Sequence, residues 1–538
     1  MGTRRKNGRC PENTEAWVIG TGTASLASAL YLINDAKVPP SKVHILDKNP
    51  SMKENLHNHG HSSSGYDQFA GCLPVPVDSS MKALLAMIPS VELQGKSFLD
   101  EIQLTESSRR PSQGNDRTCF LARKGGTMEH MPVESLSLSY KCRASLVRFL
   151  LKREKYLLGR QIRDVLPVGF FDSCFWLVWS TQFGFQQWHC AAEFRRAVRQ
   201  FLSSFHNLNI LNCVDITGYY QYESIYLPIY FYLRDCNADL RFGVEVKDFE
   251  IDCSSNQRFI TGLYLTTDGL EFYQRLGSND IVIANLGSTV SGSAVGTHYT
   301  PALLESIRAA DMLDQNWSTW LALQSQSRDF GDPYSFCTHQ SQSILGSFTI
   351  TTEEPGFFET VKMQSRCTSE AGAFIIFKDS HWGIRLCIPA QPVFSTQPRY
   401  VRVLWGTTLY PERTGNYVKK QMVNCSGAEI LTELFGHLDL AYGTFTTRTV
   451  LVVPRVMPRM SALQLTRAPN NRPRVNPPTF ANIALVGHFV EIPRRACVDL
   501  GYELRAAQLA VSHLMDYDIP TDSSESLVST ITKVLFWK

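Results

Sequence analysis

Three absences narrow the reading of this chain. It has 14 cysteines among 538 residues, yet no two stand as C-x-x-C. That removes the spacing used by zinc frameworks and dithiol redox motifs. Charge excess is missing too: 53 Lys and Arg against 50 Asp and Glu leave a net +3, which gives no general case for a nucleic-acid partner. No apolar run approaches the roughly 20 residues of a membrane span. The aromatic-rich stretches 170–185 and 216–233 are interrupted by residues such as Asp172, Gln182 and Glu223 and read as buried core. The opening MGTRRKNGRC is basic with no apolar run behind it, so no secretory signal is expected, and Lys6 breaks the myristoylation pattern. Scattered cysteines fit a reducing, cytoplasmic location. Hydrophobic residues at 43% and charged residues at 19% describe a chain folded almost throughout, long enough for several domains.

What is present begins at residue 17. Trp17-Val18-Ile19 is a short apolar strand, Gly20-Thr21-Gly22-Thr23-Ala24-Ser25 a turn, and 26–34 has helical spacing. A second apolar strand, 43–46, ends at Asp47. This is a βαβ unit carrying a glycine loop. Gly20 permits the tight strand-to-helix turn, and Gly22 lets backbone approach a pyrophosphate seated on the helix N-terminus. Asp47, ending the second strand, is placed to accept hydrogen bonds from an adenosine ribose. A purely structural glycine turn is the competing reading, since the third motif position is Ser25. Late in the chain, Ile483-Ala484-Leu485-Val486-Gly487 is another apolar strand ending in glycine, a pattern that favours a flavin over a nicotinamide.

Further along, 146–156 reads as a helix and 193–205 as an amphipathic helix with Arg195, Arg196 and Arg199 on its wet side. Strands are expected at 259–266, 280–284, 374–377 and 401–405, an extended Pro-rich loop at 466–479 and a helix at 502–515. His57, His59 and His61 alternate in a polar loop, but no carboxylate or cysteine spacing supports a metal.

Several longer motifs resemble one family. FFDSCFWLVWSTQFGFQQWHCAAEFRR (170–196), YYQYES (219–224), FKDSHW (377–382), GNYVKKQMVNCSGAEI (415–430), NRPRVNPP (471–478), VGHFVEIP (486–493) and GYELRAAQLAV (501–511) are similar to segments of the oleate hydratase, or myosin-cross-reactive-antigen, family. The resemblance runs from about residue 15 to 515. It implies an α/β protein: a Rossmann-type FAD-binding domain with an inserted substrate domain and a helical C-terminal part. The expected division is an arm at 1–14, the FAD domain at 15–135, 236–300 and 451–515, a mostly helical lid segment at 136–235, a strand-rich substrate domain at 301–450 and a tail at 516–538. It also implies FAD bound through Gly20, Gly22, Ala24, Ser25, Asp47, Gly71 and Gly487, a long-chain unsaturated substrate, hydration of its double bond, and a homodimer. Family C-termini suggest peripheral membrane contact for the tail VSTITKVLFWK; docking on the protein itself is the alternative.

The departures from the family matter as much. Hydrating an alkene needs an acid for one carbon and a base for the water that attacks the other. The family's acid is a Tyr, matched here by Tyr222 in Gln221-Tyr222-Glu223-Ser224, whose alternative reading is a buried phenol. The family's Glu falls on Leu73, which cannot activate water; Asp67 and Asp78 are the nearest carboxylates. The Thr, Asn and His that hold the family's substrate carboxylate become Cys387, Pro389 and Val393. A Gly-Gly near the flavin becomes Lys53-Glu54. The expected activity is therefore a divergent hydro-lyase on an unsaturated lipid or polyketide-like chain. A double-bond isomerase or cyclase of secondary metabolism, and a non-catalytic flavin- or lipid-binding protein, are the alternatives.

Overall fold

The computed structural model describes residues 9–51, 60–67, 79–90, 93–109, 118–131, 138–208, 225–254, 257–306, 312–365, 373–389, 391–441, 449–519 and 527–535. Two sheets organise them. The first is parallel and five-stranded, in the order β18 (Ile483–Val486), β11 (Ile281–Asn285), β1 (Ala16–Ile19), β2 (Val43–Asp47) and β7 (Asp239–Phe242). All residues of β1, β2, β11 and β18 are buried, as expected of strands covered on both faces that read as unbroken apolar runs. The chain supplies this sheet from its beginning, middle and end. The first helix, Thr23–Asn34, packs on it beside the late helix Leu500–Met515. Every side chain from Thr23 to Leu32 is buried; a helix apolar all round has no wet face.

Residues 9–14, expected as part of an arm, are tied down. Arg9 donates to the carbonyls of Leu514 and Ala481, each at 2.8 Å. An antiparallel meander, β8 (Val244–Asp252), β9 (Phe259–Thr267) and β10 (Leu270–Arg275), lies in sequence between β7 and β11.

The second large sheet has eight strands in the order β12 (Ala294–Val295), β17 (Val450–Met457), β13 (Leu345–Thr352), β16 (Arg402–Thr408), β15 (Ile384–Ile388), β14 (Ala373–Phe377), β5 (Thr118–Lys124) and β6 (Thr127–His130). Residues 118–130 thus join this sheet, so the early part of the chain contributes to both bodies. The small hairpin β3 (Gly60–His61) and β4 (Gly65–Tyr66) lies against it, with Tyr66 N–H donating to Thr351 Oγ1 at 2.8 Å. Period-two alternation splits the sheet's side chains between two cores. Phe374, Ile376 and Cys387 face a helical layer that includes Tyr140–Leu151, Cys174–Phe183 and Ala191–Leu208. Ile375, Phe377 and Leu386 face helices Pro355–Gln364 and Gly427–His437. The aromatics of 170–185 fill the first of these cores, and among the described residues no helix is long and apolar enough to cross a membrane.

One expectation is overturned here. Arg195 and Arg196 are not on a wet face: they are 8% and 2% exposed. Arg196 meets Glu193 at 3.3 Å, Glu491 at 2.5 Å and Glu154 at 2.5 Å; Arg467 meets Glu193 at 2.7 Å and Glu491 at 2.8 Å; Arg472 meets Glu193 at 3.4 Å. Three arginines face three glutamates. Helical spacing alone assigns charged residues to solvent, but Glu154 and Glu491, brought in by distant segments, offset the cost of burying Arg196.

Candidate functional site

In a parallel sheet every strand ends on the same edge, and ligands gather outside it where strand order reverses. Here β1 is followed by β2 on one side, and β11 and β18 flank it on the other. Four carboxyl ends therefore converge: Gly20 after β1, Asp47 ending β2, Asn285 ending β11 and Gly487 after β18.

Gly20 has φ +92° and Gly487 φ +100°, conformations in which a Cβ is strained. The loop is also crowded. A Cβ on Gly22 would lie 2.7 Å from Asn285 Nδ2, one on Gly20 3.0 Å from Asn316 Oδ1, and one on Gly487 would collide with Asn285 Oδ1. Gly22 is the N-cap of the first helix and supplies no side-chain cap, so the N–H groups of the first turn face the loop's concave side and favour an anion. Ala24 and Ser25 are fully buried, and Ser25 Oγ donates back to the Ile19 carbonyl at 3.2 Å, pinning strand to helix. Asp47, 6% exposed, accepts from Thr21 Oγ1 at 2.6 Å and from Asn49 N–H at 2.9 Å. Its carboxylate is therefore oriented by the loop it faces.

Sequence reading missed two contributors. Asn285 lies between Gly22 and Gly487, and its only signal is a polar residue closing the apolar run IVIA. The second is the start of helix Gln315–Gln326, where Asp314 caps Trp317 N–H at 3.3 Å and Asn316 reaches Gly20. Asp314 is half-buried. Burial pushes its carboxyl up to about 6, helped by the nearby Asp47 charge and opposed by hydrogen bonds from Ser288, Trp317 and Asn316.

The remaining expected site residues divide. Tyr222, Gly71, Leu73, Lys53, Glu54, His57, His59 and Asp78 lie outside the described residues. Tyr226, four positions after Tyr222, accepts from Thr23 Oγ1 at 2.8 Å at the start of the first helix. Asp67 is held in a two-bond ion pair by Arg455, with Arg455 Nε to Asp67 Oδ1 at 3.3 Å. A carboxylate so engaged is a poor general base. Cys387, Pro389 and Val393 are all buried. Among the described residues, no group of three His, Cys, Asp or Glu could hold a metal.

Comparison with known proteins agrees with this architecture. The model of the MCRA family matches residues 13–512. An oleate hydratase of Streptococcus pyogenes serotype M49 is 28% identical over 517 residues, spanning 94% of this chain and 86% of the relative. A linoleate hydratase of Lactiplantibacillus plantarum is 25% identical, spanning 95% of each. Among solved structures, an oxidoreductase from Methanosarcina mazei covers 92% of this chain at TM-score 0.52 and 12% identity. Cyclohexylamine oxidase from Brevibacterium oxydans covers 94% at TM-score 0.53 and 10% identity. Both likenesses concern the fold.

Proposed function

The chain belongs to the MCRA family, and from that premise we propose that it is a hydro-lyase acting on a double bond in a long unsaturated acyl chain, with FAD bound at the convergent strand ends. The observation that carries the reading is full-length likeness to two fatty-acid hydratases joined to a glycine loop that a single Cβ would fill.

FAD fits the residues present. Gly20 and Gly22 would admit its pyrophosphate onto the first helix, Asp47 would take the adenosine ribose, and Asn285 and Gly487 would border it from the far strands. Ala24 and Ser25 support the loop from behind, and Gly71 belongs to the same set by family likeness. Bound FAD would shape the site electrostatically. Tyr222 gives its phenolic proton to one alkene carbon while water adds to the other, and the water's surplus proton needs an acceptor. Leu73 cannot take it, and Asp67 is engaged by Arg455.

That last point favours a second reading. In an isomerase, Tyr222 protonates one carbon, and its phenolate recovers a proton from the carbon next to the cation. No water is then activated. Incubating the purified chain with linoleate in heavy-oxygen water separates the two. Label in a hydroxylated product is expected for hydration; unlabelled, rearranged product identifies isomerisation; no turnover, unchanged by Tyr222→Phe, overturns both in favour of a binding protein.

A further inference from the structure

β15 runs through the interior of the eight-stranded sheet, between β14 and β16. Its sequence, IRLCI, contains one charge. Arg385 is 3% exposed. Alternation puts it on the same face as Cys387, toward the helical layer, with its guanidinium stacked 3.7 Å over the Phe374 ring. Nη1 donates to the Thr181 carbonyl at 3.1 Å, near the C-terminal end of helix Cys174–Phe183. Nη2 has no hydrogen-bond partner among the described residues.

Among the described residues, no carboxylate answers this charge. Burial pulls the guanidinium down to about 10, opposed among the described residues by the neighbouring Cys387 thiol, itself pushed up by burial. Comparable arginines in this molecule are provided for. Arg196, Arg455, Arg467 and Arg472 each meet a carboxylate, and Arg459 is spread over the carbonyls of Cys337, Ser291 and Met312. A buried cation without a counter-charge is costly, and an anion brought in from outside would offset that cost.

We propose that Arg385 is the anion anchor of the substrate side, binding the carboxylate of a long-chain acyl substrate that enters between helix Cys174–Phe183 and the sheet. This rests on the reading of the protein as acting on an unsaturated acyl chain. The guanidinium fork matches a carboxylate, and it stands one pleat position from Cys387. Solvent does not reach it. An anion arrives only with an apolar tail able to part the helical layer from Phe374, Ile376 and Trp405, so a small carboxylate such as acetate is excluded while a long one is held.

The test compares linoleate, methyl linoleate and acetate on the full chain by calorimetric titration and thermal unfolding. The wild type is expected to bind the acid about tenfold or more tighter than the ester and to ignore acetate. Arg385→Met should melt no lower than wild type, since it removes an uncompensated charge, and should bind acid and ester alike. Arg385→Lys should keep part of the preference, and it carries the test should the Met variant fail to fold. A wild type that does not distinguish acid from ester overturns the anchor. So does a Met variant that keeps the preference; if it also melts much lower, Arg385 is only a cap for the helix. Failure of the functional reading looks different: no product forms, yet the acid preference exists and vanishes in Arg385→Met. If neither lipid binds, both fall.

Discussion

Asp314 offers the sharpest check on the electrostatics of the strand-end site. Its carboxyl is raised from 3.8 to about 6, first by burial and then by the Asp47 charge. A shift of about two units corresponds to roughly 3 kcal/mol favouring the protonated form. Solvent that still reaches the half-buried side chain screens part of this, leaving about 1–2 kcal/mol. The sign follows from linkage. The folded-state pKa lies above the unfolded one, so the favourable contribution is complete below pH 3.8 and is lost as pH rises through 6. Asn at this position keeps the oxygen that caps Trp317 N–H and carries no charge. Asp314→Asn should therefore be more stable than wild type by about 1–2 kcal/mol above pH 6, with the advantage shrinking toward zero by about pH 4. Denaturant unfolding of both proteins at half-unit steps from pH 4.5 to 8 measures it. A difference independent of pH, or a variant less stable at pH 8, refutes the argument, because either outcome means the carboxylate costs nothing where it stands.

Two further expectations concern the buried charges and the loop. Glu193→Gln removes a carboxylate shared by Arg196, Arg467 and Arg472 and should cost about 3–5 kcal/mol, read as a lower urea midpoint; an unchanged midpoint would mean that Glu491 and Glu154 suffice. Gly22→Ala places a methyl 2.7 Å from Asn285 Nδ2, a side-chain end that can swing aside, so the fold should persist while flavin content, measured by visible absorbance per chain, drops about tenfold; a fully flavinated variant would show that the loop is only a turn.

Parts of this arrangement are legible in the chain and parts are not, for a physical reason. β1, β2, β11 and β18 announce themselves because strands covered on both faces are apolar without interruption, and a glycine at the end of such a run marks a turn. Asn285 shows only as a polar residue closing an apolar run, and Asp314 and Asn316 are silent, because each becomes part of the site only when a distant segment lands beside Gly20. The same distance hides the burial of Arg196: its face was assigned from helical spacing, whereas its partner Glu491 stands 295 positions away. Arg385 did leave a mark, a single charge in an apolar pentapeptide. Reading it as buried and unpaired required knowing that β15 is an interior strand.

The distribution of carboxylates bears on the chemistry. Asp47 is engaged by Thr21 and Asn49, Asp67 by Arg455, Glu193 by three arginines, and Asp314 by the helix it caps. None of these four carboxylates is left free of a partner. Under the proposed function, a hydratase that has Leu73 in place of the family's Glu has two routes open to it. Water can surrender its proton to a non-carboxylate acceptor, which keeps oxygen in the product, or the cation left after protonation by Tyr222 can lose a neighbouring proton to the phenolate, which does not. On that reading, the proposed replacement of the Glu by Leu73 and the pairing of Asp67 with Arg455 point the same way, since redirecting the last proton transfer is enough to turn hydration into isomerisation on one scaffold. The oxygen content of the product therefore reports directly on what replaced the missing carboxylate.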